Sequence, residues 1–183
     1  MGRRAVNLLR RIGDFSQNGT RRFDKQVTFD GGIRSSTNSA VTISNVGSYA
    51  TPSKTLVAAD SGKTFFLDCG TVNICMQLPV PERGLYFKFI LATASDNEAT
   101  KDCAITTGSD SVDMGGHVLE AGGAPLEVTN ATSCIAWDTS DGAATVGDWL
   151  DFHCDGTDWY VRGSAVTASA FDIADGADGH TLP

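Results

Sequence analysis

The sequence predicts a mainly β protein: a compact antiparallel β-sandwich or barrel-like domain with an extended N-terminal arm and an extended C-terminal tail. Three observations predict it. Apolar residues come in short alternating runs, the period of strands, and rarely in helical stripes. Twenty glycines, with Asp, Asn, Ser and Thr beside them, fall between those runs, where tight turns need them. Charge is also sorted along the chain. Residues 1–34 hold eight Arg or Lys against three Asp, and the rest holds six basic and nineteen acidic residues. A basic arm joined to an acidic body suits a protein whose arm grips something the body avoids.

The arm is expected over 1–53. Ala5, Leu8, Leu9 and Ile12 lie at i, i+3, i+4 and i+7 and predict a short helix over 3–12, stopped by Gly13. Arg3, Arg4, Arg10 and Arg11 surround that apolar stripe, and Arg21 and Arg22 follow. A helix this short is marginal in water, so it is expected to order against a partner surface. Val27-Thr28-Phe29 and Val41-Thr42-Ile43 alternate over lengths too short to stand alone. They suit strands added to another chain's sheet edge, a floppy linker, or edge strands of this chain.

The β-domain is expected over 54–165. Leu56 and Val57 lead to a turn at Asp60-Ser61-Gly62, and Phe65 to Leu67 form an apolar run. Val72, Ile74, Met76 and Leu78 alternate with polar or small residues, the pattern of a half-buried strand, ended by Pro79 and Pro81. Leu85 to Leu91 is nearly all apolar, which predicts a central strand buried on both faces. Shorter strands are expected at 103–106, 111–114, 126–129 and 133–137. The last unit is a hairpin: Leu150, Phe152 and Cys154 alternate with Trp149, Asp151 and His153. Asp155-Gly156 turns the chain, and 158–162 returns with Trp159 and Val161 on one face and Tyr160 on the other. Trp149, Trp159 and Tyr160 are candidate subunit-interface aromatics. Residues 166–183, small and polar apart from Phe171 and Ile173, read as the tail.

Motifs of catalysis are absent from the sequence. It has no phosphate loop, dinucleotide fingerprint, nucleophile elbow or H-E-x-x-H, and its three histidines, His117, His153 and His180, stand in no recognisable constellation. His117, after Gly115-Gly116, reads as a loop residue. No enzyme activity, cofactor or metal is expected. The five cysteines read as reduced, mostly buried thiols, with a Cys69–Cys75 disulfide as the main exception. A zinc set of Cys69, Cys75, His153 and Cys154 lacks paired close spacing. Asp-Gly clusters at 138–142, 155–158 and 175–179 supply turn chemistry before calcium ligands. No apolar stretch has the length of a membrane helix and no secretory leader is recognisable, so folding in a cytoplasm is expected. The arm's charges suit an acidic protein surface better than nucleic acid, since no stacking motif accompanies them.

Two stretches carry a family resemblance. The first is Leu56 to Asp68, followed by Met76-Gln77-Leu78-Pro79 and Gly84 to Ile90. The second runs from Gly147 to Gly163 and contains Asp155-Gly156-Thr157-Asp158-Trp159-Tyr160-Val161. Their order resembles small β-rich virion proteins of tailed bacteriophages, marine and cyanobacterial ones in particular, over about residues 55–165. The resemblance implies a virion part, either a head decoration (cement) protein or a tail-fibre or tail-tip module. A chain of 183 residues has no room for a long repetitive shaft, and the basic arm supplies a grip, so decoration is the expectation. It further implies a homotrimer on the capsid exterior, with the major capsid protein as partner and Arg3, Arg4, Leu8, Leu9, Arg10, Arg11, Ile12, Arg21 and Arg22 as the binding arm.

Overall fold

The computed structural model describes residues 40–44, 47, 51–93, 103–109, 111–122, 124–137 and 143–174. The chain divides into two units, Met1–Ile33 and Arg34–Pro183, and every described residue belongs to the second. The predicted helix over 3–12 and the arm residues named above lie outside the described residues, as do 175–183.

The described strands are β1 (Val41–Ile43), β2 (Lys54–Thr55), β3 (Thr64–Asp68), β4 (Ile74–Gln77), β5 (Tyr86–Thr93), β6 (Cys103–Thr106), β7 (Met114–Glu120), β8 (Leu126–Thr132), β9 (Cys134–Trp137), β10 (Trp149–Cys154), β11 (Trp159–Ala165) and β12 (Phe171–Ala174). They form a seven-stranded sheet, β1-β3-β5-β10-β11-β7-β8, and a five-stranded sheet, β12-β9-β6-β4-β2. The protein is therefore a mainly β sandwich, as its turn-punctuated runs predict.

The sheets are mixed, not purely antiparallel. β1 and β5 both run parallel to β3, β11 to β7, and β2 and β6 to β4. Period-two alternation marks a strand but says nothing of its neighbour's direction. The boundaries drawn at 53/54 and 165/166 fall inside the sheets. β1 pairs with this chain's own β3, and β12 pairs with β9. Each is too short to carry a strong sequence signal, and the pairing edge comes from far along the chain.

One core fills the sandwich. Phe65 and Leu67 of β3, Phe87, Phe89 and Leu91 of β5, Leu150 and Phe152 of β10, and Trp159 and Val161 of β11 face Ile74, Met76, Ile105, Ile135 and Trp137 of the other sheet. The rings interlock: Phe89 lies edge-on to Phe152 at 5.6 Å between centroids and stacks on Phe65 at 5.5 Å, while Phe87 meets Trp159 at 5.8 Å. Every second residue of β5 and β11 enters this core, which sets their register.

β5 is central, but only one of its faces is sealed. Tyr86, Lys88 and Ile90 are half-buried on the other. β7 departs further from expectation, because Gly115, Gly116 and His117 lie within it, between β11 and β8. A Cβ on Gly116 would stand 2.0 Å from the Val161 carbonyl oxygen, so the close approach of β11 excludes a side chain.

Cys69 and Cys103 form a disulfide between Cα atoms 6.1 Å apart. The expectations of all-reduced cysteines and of a Cys69–Cys75 bridge are both overturned. Cys69, just after β3, and Cys103, opening β6, point into the core from opposite sheets. Cys75 faces away from that core with Ala104, Cys134 and Ala136. Burial pushes the Cys75 thiol up to about 12, which makes it a poor nucleophile.

Candidate functional site

Chemistry concentrates on the face of the seven-stranded sheet turned away from the core. Because each strand sends alternate residues outward, the pairing registers line up side chains in rows across it. The central row runs Thr64, Lys88, Asp151, Arg162, His117 and Glu127, one residue from each of six neighbouring strands. On one side lies a mostly apolar row, Phe66, Ile90, Trp149, Ser164 and Leu119. On the other lies an aromatic row, Tyr86, His153 and Tyr160.

Asp151 organises the centre. Its side chain is only 7% exposed, yet it points to the outer face. Lys88 Nζ lies 3.5 Å from one carboxylate oxygen and Arg162 3.6 Å from the other. The Tyr86 hydroxyl donates to Oδ1 at 3.3 Å. A carboxylate this shielded is tolerable because two cations and a hydroxyl surround it. Burial raises the Tyr86 pKa above its ordinary value, and the Asp151 charge adds to that rise, so Tyr86 stays a neutral donor.

Neighbouring contacts hold the flanking rows. The Lys88 ammonium sits 4.3 Å from the centre of the Trp149 ring, and Tyr86 packs on His153 at 4.7 Å between ring centres. Tyr160 donates its hydroxyl to Asp155 Oδ2 at 3.2 Å. Asp155 Oδ1 accepts the backbone N–H groups of Thr157 at 2.9 Å and Asp158 at 3.0 Å, closing the β10–β11 turn. The Asp158 and Thr157 N–H groups hold the Asp155 carboxyl below its ordinary pKa. This Asp-Gly cluster therefore uses its carboxylate on its own backbone. The clusters at 138–142 and 175–179 lie outside the described residues.

The three interface candidates separate. Trp159 is fully buried in the core and has no surface to offer a neighbour, because the hairpin register turns it inward. Trp149 stands half-buried under Lys88, and Tyr160 is exposed. Trp137 is buried as well. Among the described residues, no three metal-ligating side chains gather, and the zinc set is dispersed: Cys69 is in the disulfide and His153 lies on the outer face.

Sequence reasoning missed Lys88, Asp151, Arg162 and His117 as a unit. Only long-range register aligns them, and the one available signal was Lys88 interrupting an otherwise apolar run.

A concavity of about 310 Å³ opens beside edge strand β2, lined by Leu56, Val57, Leu78, Pro79 and Val80 among others. It is a mostly apolar groove whose polar lining residues are Thr55, Gln77 and Glu82, the first two hydrogen-bonded to each other at 3.3 Å. The outer face can bind and orient a ligand through donors, acceptors and rings.

No protein-family description, no curated protein and no solved structure matches this chain.

Proposed function

We propose that this protein is a capsid decoration protein of a tailed bacteriophage. In this reading it binds the exterior of the assembled head as a trimer and bridges neighbouring capsomers through its N-terminal arm. The observation that carries the reading is the separation of a basic segment, residues 1–34, from an acidic β-body. The resemblance of its motif order to that of small phage virion proteins adds to it. The body is a disulfide-linked sandwich, suited to standing on a surface while a separate segment does the gripping.

The mechanism is mechanical. Arg3, Arg4, Arg10, Arg11, Arg21 and Arg22 meet acidic patches on the major capsid protein, and Leu8, Leu9 and Ile12 enter an apolar groove. Linking three arms raises the effective concentration of each for its site. Binding the assembled shell and not its dissociated subunits stabilises the shell by mass action.

Co-sedimentation with empty phage heads tests this. Saturable binding that weakens as salt rises and is lost on deleting residues 1–34 is the expected result. A truncated chain that still decorates heads overturns it.

A second reading, a tail-tip or receptor-binding β-module, is favoured by the outward rows of aromatic and cationic side chains. Recovery of the protein with purified tails instead of heads would select it. With Trp137 and Trp159 buried, only Trp149 among the three indoles could belong to such a surface.

A further inference from the structure

We propose that the outer face of the seven-stranded sheet binds a second copy of this chain, face to face across a two-fold axis that runs along β11. The proposal concerns the body alone and holds whether or not the arm grips a phage head. Beside the three-fold contact of the decoration reading, it would tie one trimer to the next.

The pairing register carries it. β10 and β5 lie on one side of β11, and β7 and β8 on the other. A two-fold rotation about a line along β11 lays each outward residue against the one equally far across β11 in the second copy. Trp149 then meets Leu119, which is 55% exposed, and two large apolar side chains come together. Asp151 meets His117, and Lys88 meets Glu127, its opposite in charge. His153 meets Gly115, a ring against a position with no side chain. Each match occurs twice, because the contact is the same patch on both copies.

The charges suit a partner that brings this same face. Lys88 and Arg162 already pair with Asp151, so no surplus cation is left to draw an anionic ligand. An ammonium has three donors, so Lys88 can keep Asp151 and add the partner's Glu127. Arg162 stands on the axis and meets its own copy, each guanidinium held by its own Asp151. Residues 35–183 hold nineteen acidic residues against six basic ones, so two bodies repel one another over most of their surface. They approach at least cost where charges cancel, as Lys88 and Arg162 do against Asp151 and Glu127. Asp155 and Asp158 lie beyond these rows, in the β10–β11 turn, at the rim of the contact.

Apolar exposure falls in the same place. Among the described residues six large apolar side chains are exposed; Leu119 and Tyr160 stand in the outward rows, and Val166 follows Ser164 on the same face. Phe66, Ile90, Trp149, Ser164 and Leu119 form an uncharged strip across five strands, roughly 19 Å long at the spacing of paired strands. A strip of that continuity marks a contact between proteins, whereas exposed apolar residues scattered singly do not.

Sedimentation equilibrium of the full chain tests this. An even number of chains in reversible equilibrium is expected. Leu119→Asp, at an exposed position, should halve the mass and weaken association about a hundredfold, since it sets a carboxylate against the partner's Trp149 twice over. Val80→Asp, more exposed still and beside β2, should leave the mass unchanged. A short bismaleimide should join Ser164→Cys chains, because residue 164 lies on the axis. It should not join Thr64→Cys chains, whose substituted residues stand three strands off the axis and so roughly 29 Å apart. The three free native cysteines are buried and do not compete. A monomeric wild type, an assembly that Leu119→Asp leaves intact, dissociation by Val80→Asp, or equal crosslinking at 164 and 64 would each overturn the proposal. Thermal unfolding checks that the variants fold. Head co-sedimentation keeps the two readings apart. A Leu119→Asp chain that keeps its mass but loses head binding would assign this face to the capsid and overturn the pairing. A wild type that pairs but never binds heads would leave the pairing standing and remove the decoration reading.

Discussion

On the seven-stranded sheet, the residues turned away from the core include Tyr86, Lys88, Asp151, His153, Tyr160, Arg162 and His117. On the five-stranded sheet they include Cys75, Ala104, Cys134 and Ala136, all 2% exposed or less. Both sheets share one core and both obey the same alternation. Yet β6 and β9 are buried on both faces, while β5, β10 and β11 seal only one. One sheet has small side chains at the middle of its second face, with the charge of Asp172 out on edge strand β12. The other sets a row of charged groups on its second face and fixes them by pairing. The difference teaches that strand periodicity divides a sheet into two faces, and that side-chain size and charge decide what each face is for.

The sharpest break of this contrast lies in the shared core. Phe89→Ala should cost about 3–5 kcal/mol in urea unfolding, since its ring contacts both Phe65 and Phe152. A cost no larger than that of an outer-face alanine would mean the inner face is not what holds the strands. Next comes the link between the sheets. Replacing Cys69 and Cys103 with Ser should lower stability by about 2–4 kcal/mol, and adding reductant to the native protein should reproduce the loss.

The third test compares the outer faces directly. Ala104→Leu, on the sealed side, should cost about 1–3 kcal/mol through overpacking. Tyr160→Ala, on the open side, should change stability by only about 0.5 kcal/mol. Equal effects would erase the distinction.

The smallest effect concerns Asp60, buried at the turn before β3. Burial alone would raise its pKa, but the Lys63 ammonium at 2.5 Å, the Val57 N–H and Lys54 outweigh that and hold it below 3.8. The stability it contributes is present above pH 3.8 and is lost as pH falls through the lowered value. Asp60→Asn should therefore cost about 1 kcal/mol at pH 7, with the deficit closing in acid. A deficit independent of pH would show that packing, not charge, holds that turn.

Much of the fold was legible because its signals are local. Cys103–Thr106 is a strand as read, and the hairpin through Asp155-Gly156 turns where expected, with Leu150, Phe152 and Cys154 inward. The parts that escaped depend on distant partners. β7 hides behind Gly115 and Gly116, which suit a loop until β11 presses against them. The disulfide joins residues 34 apart, and only the packing of the two sheets brings them together. Lys88 and Arg162 carry no local sign of their shared partner, since nothing near either one in sequence announces Asp151. The site was thus less legible than the fold, because its geometry is a property of register.

The Cys69–Cys103 bond also has a consequence for load. Among the described strands, a pull from the N-terminal side meets first β1, a three-residue edge strand paired with β3. Stripping β1, β2 and β3 in turn would bring the tension to residue 69, where the covalent link passes it straight to residue 103. The chain between them is shielded from extension as long as the bond is intact. Since a stretched chain spans at most roughly 3.3–3.6 Å per residue, those 34 residues amount to about 120 Å of hidden length. In an optical trap, the oxidised protein should extend less than the reduced one by that amount, acting as a tether with a built-in stop.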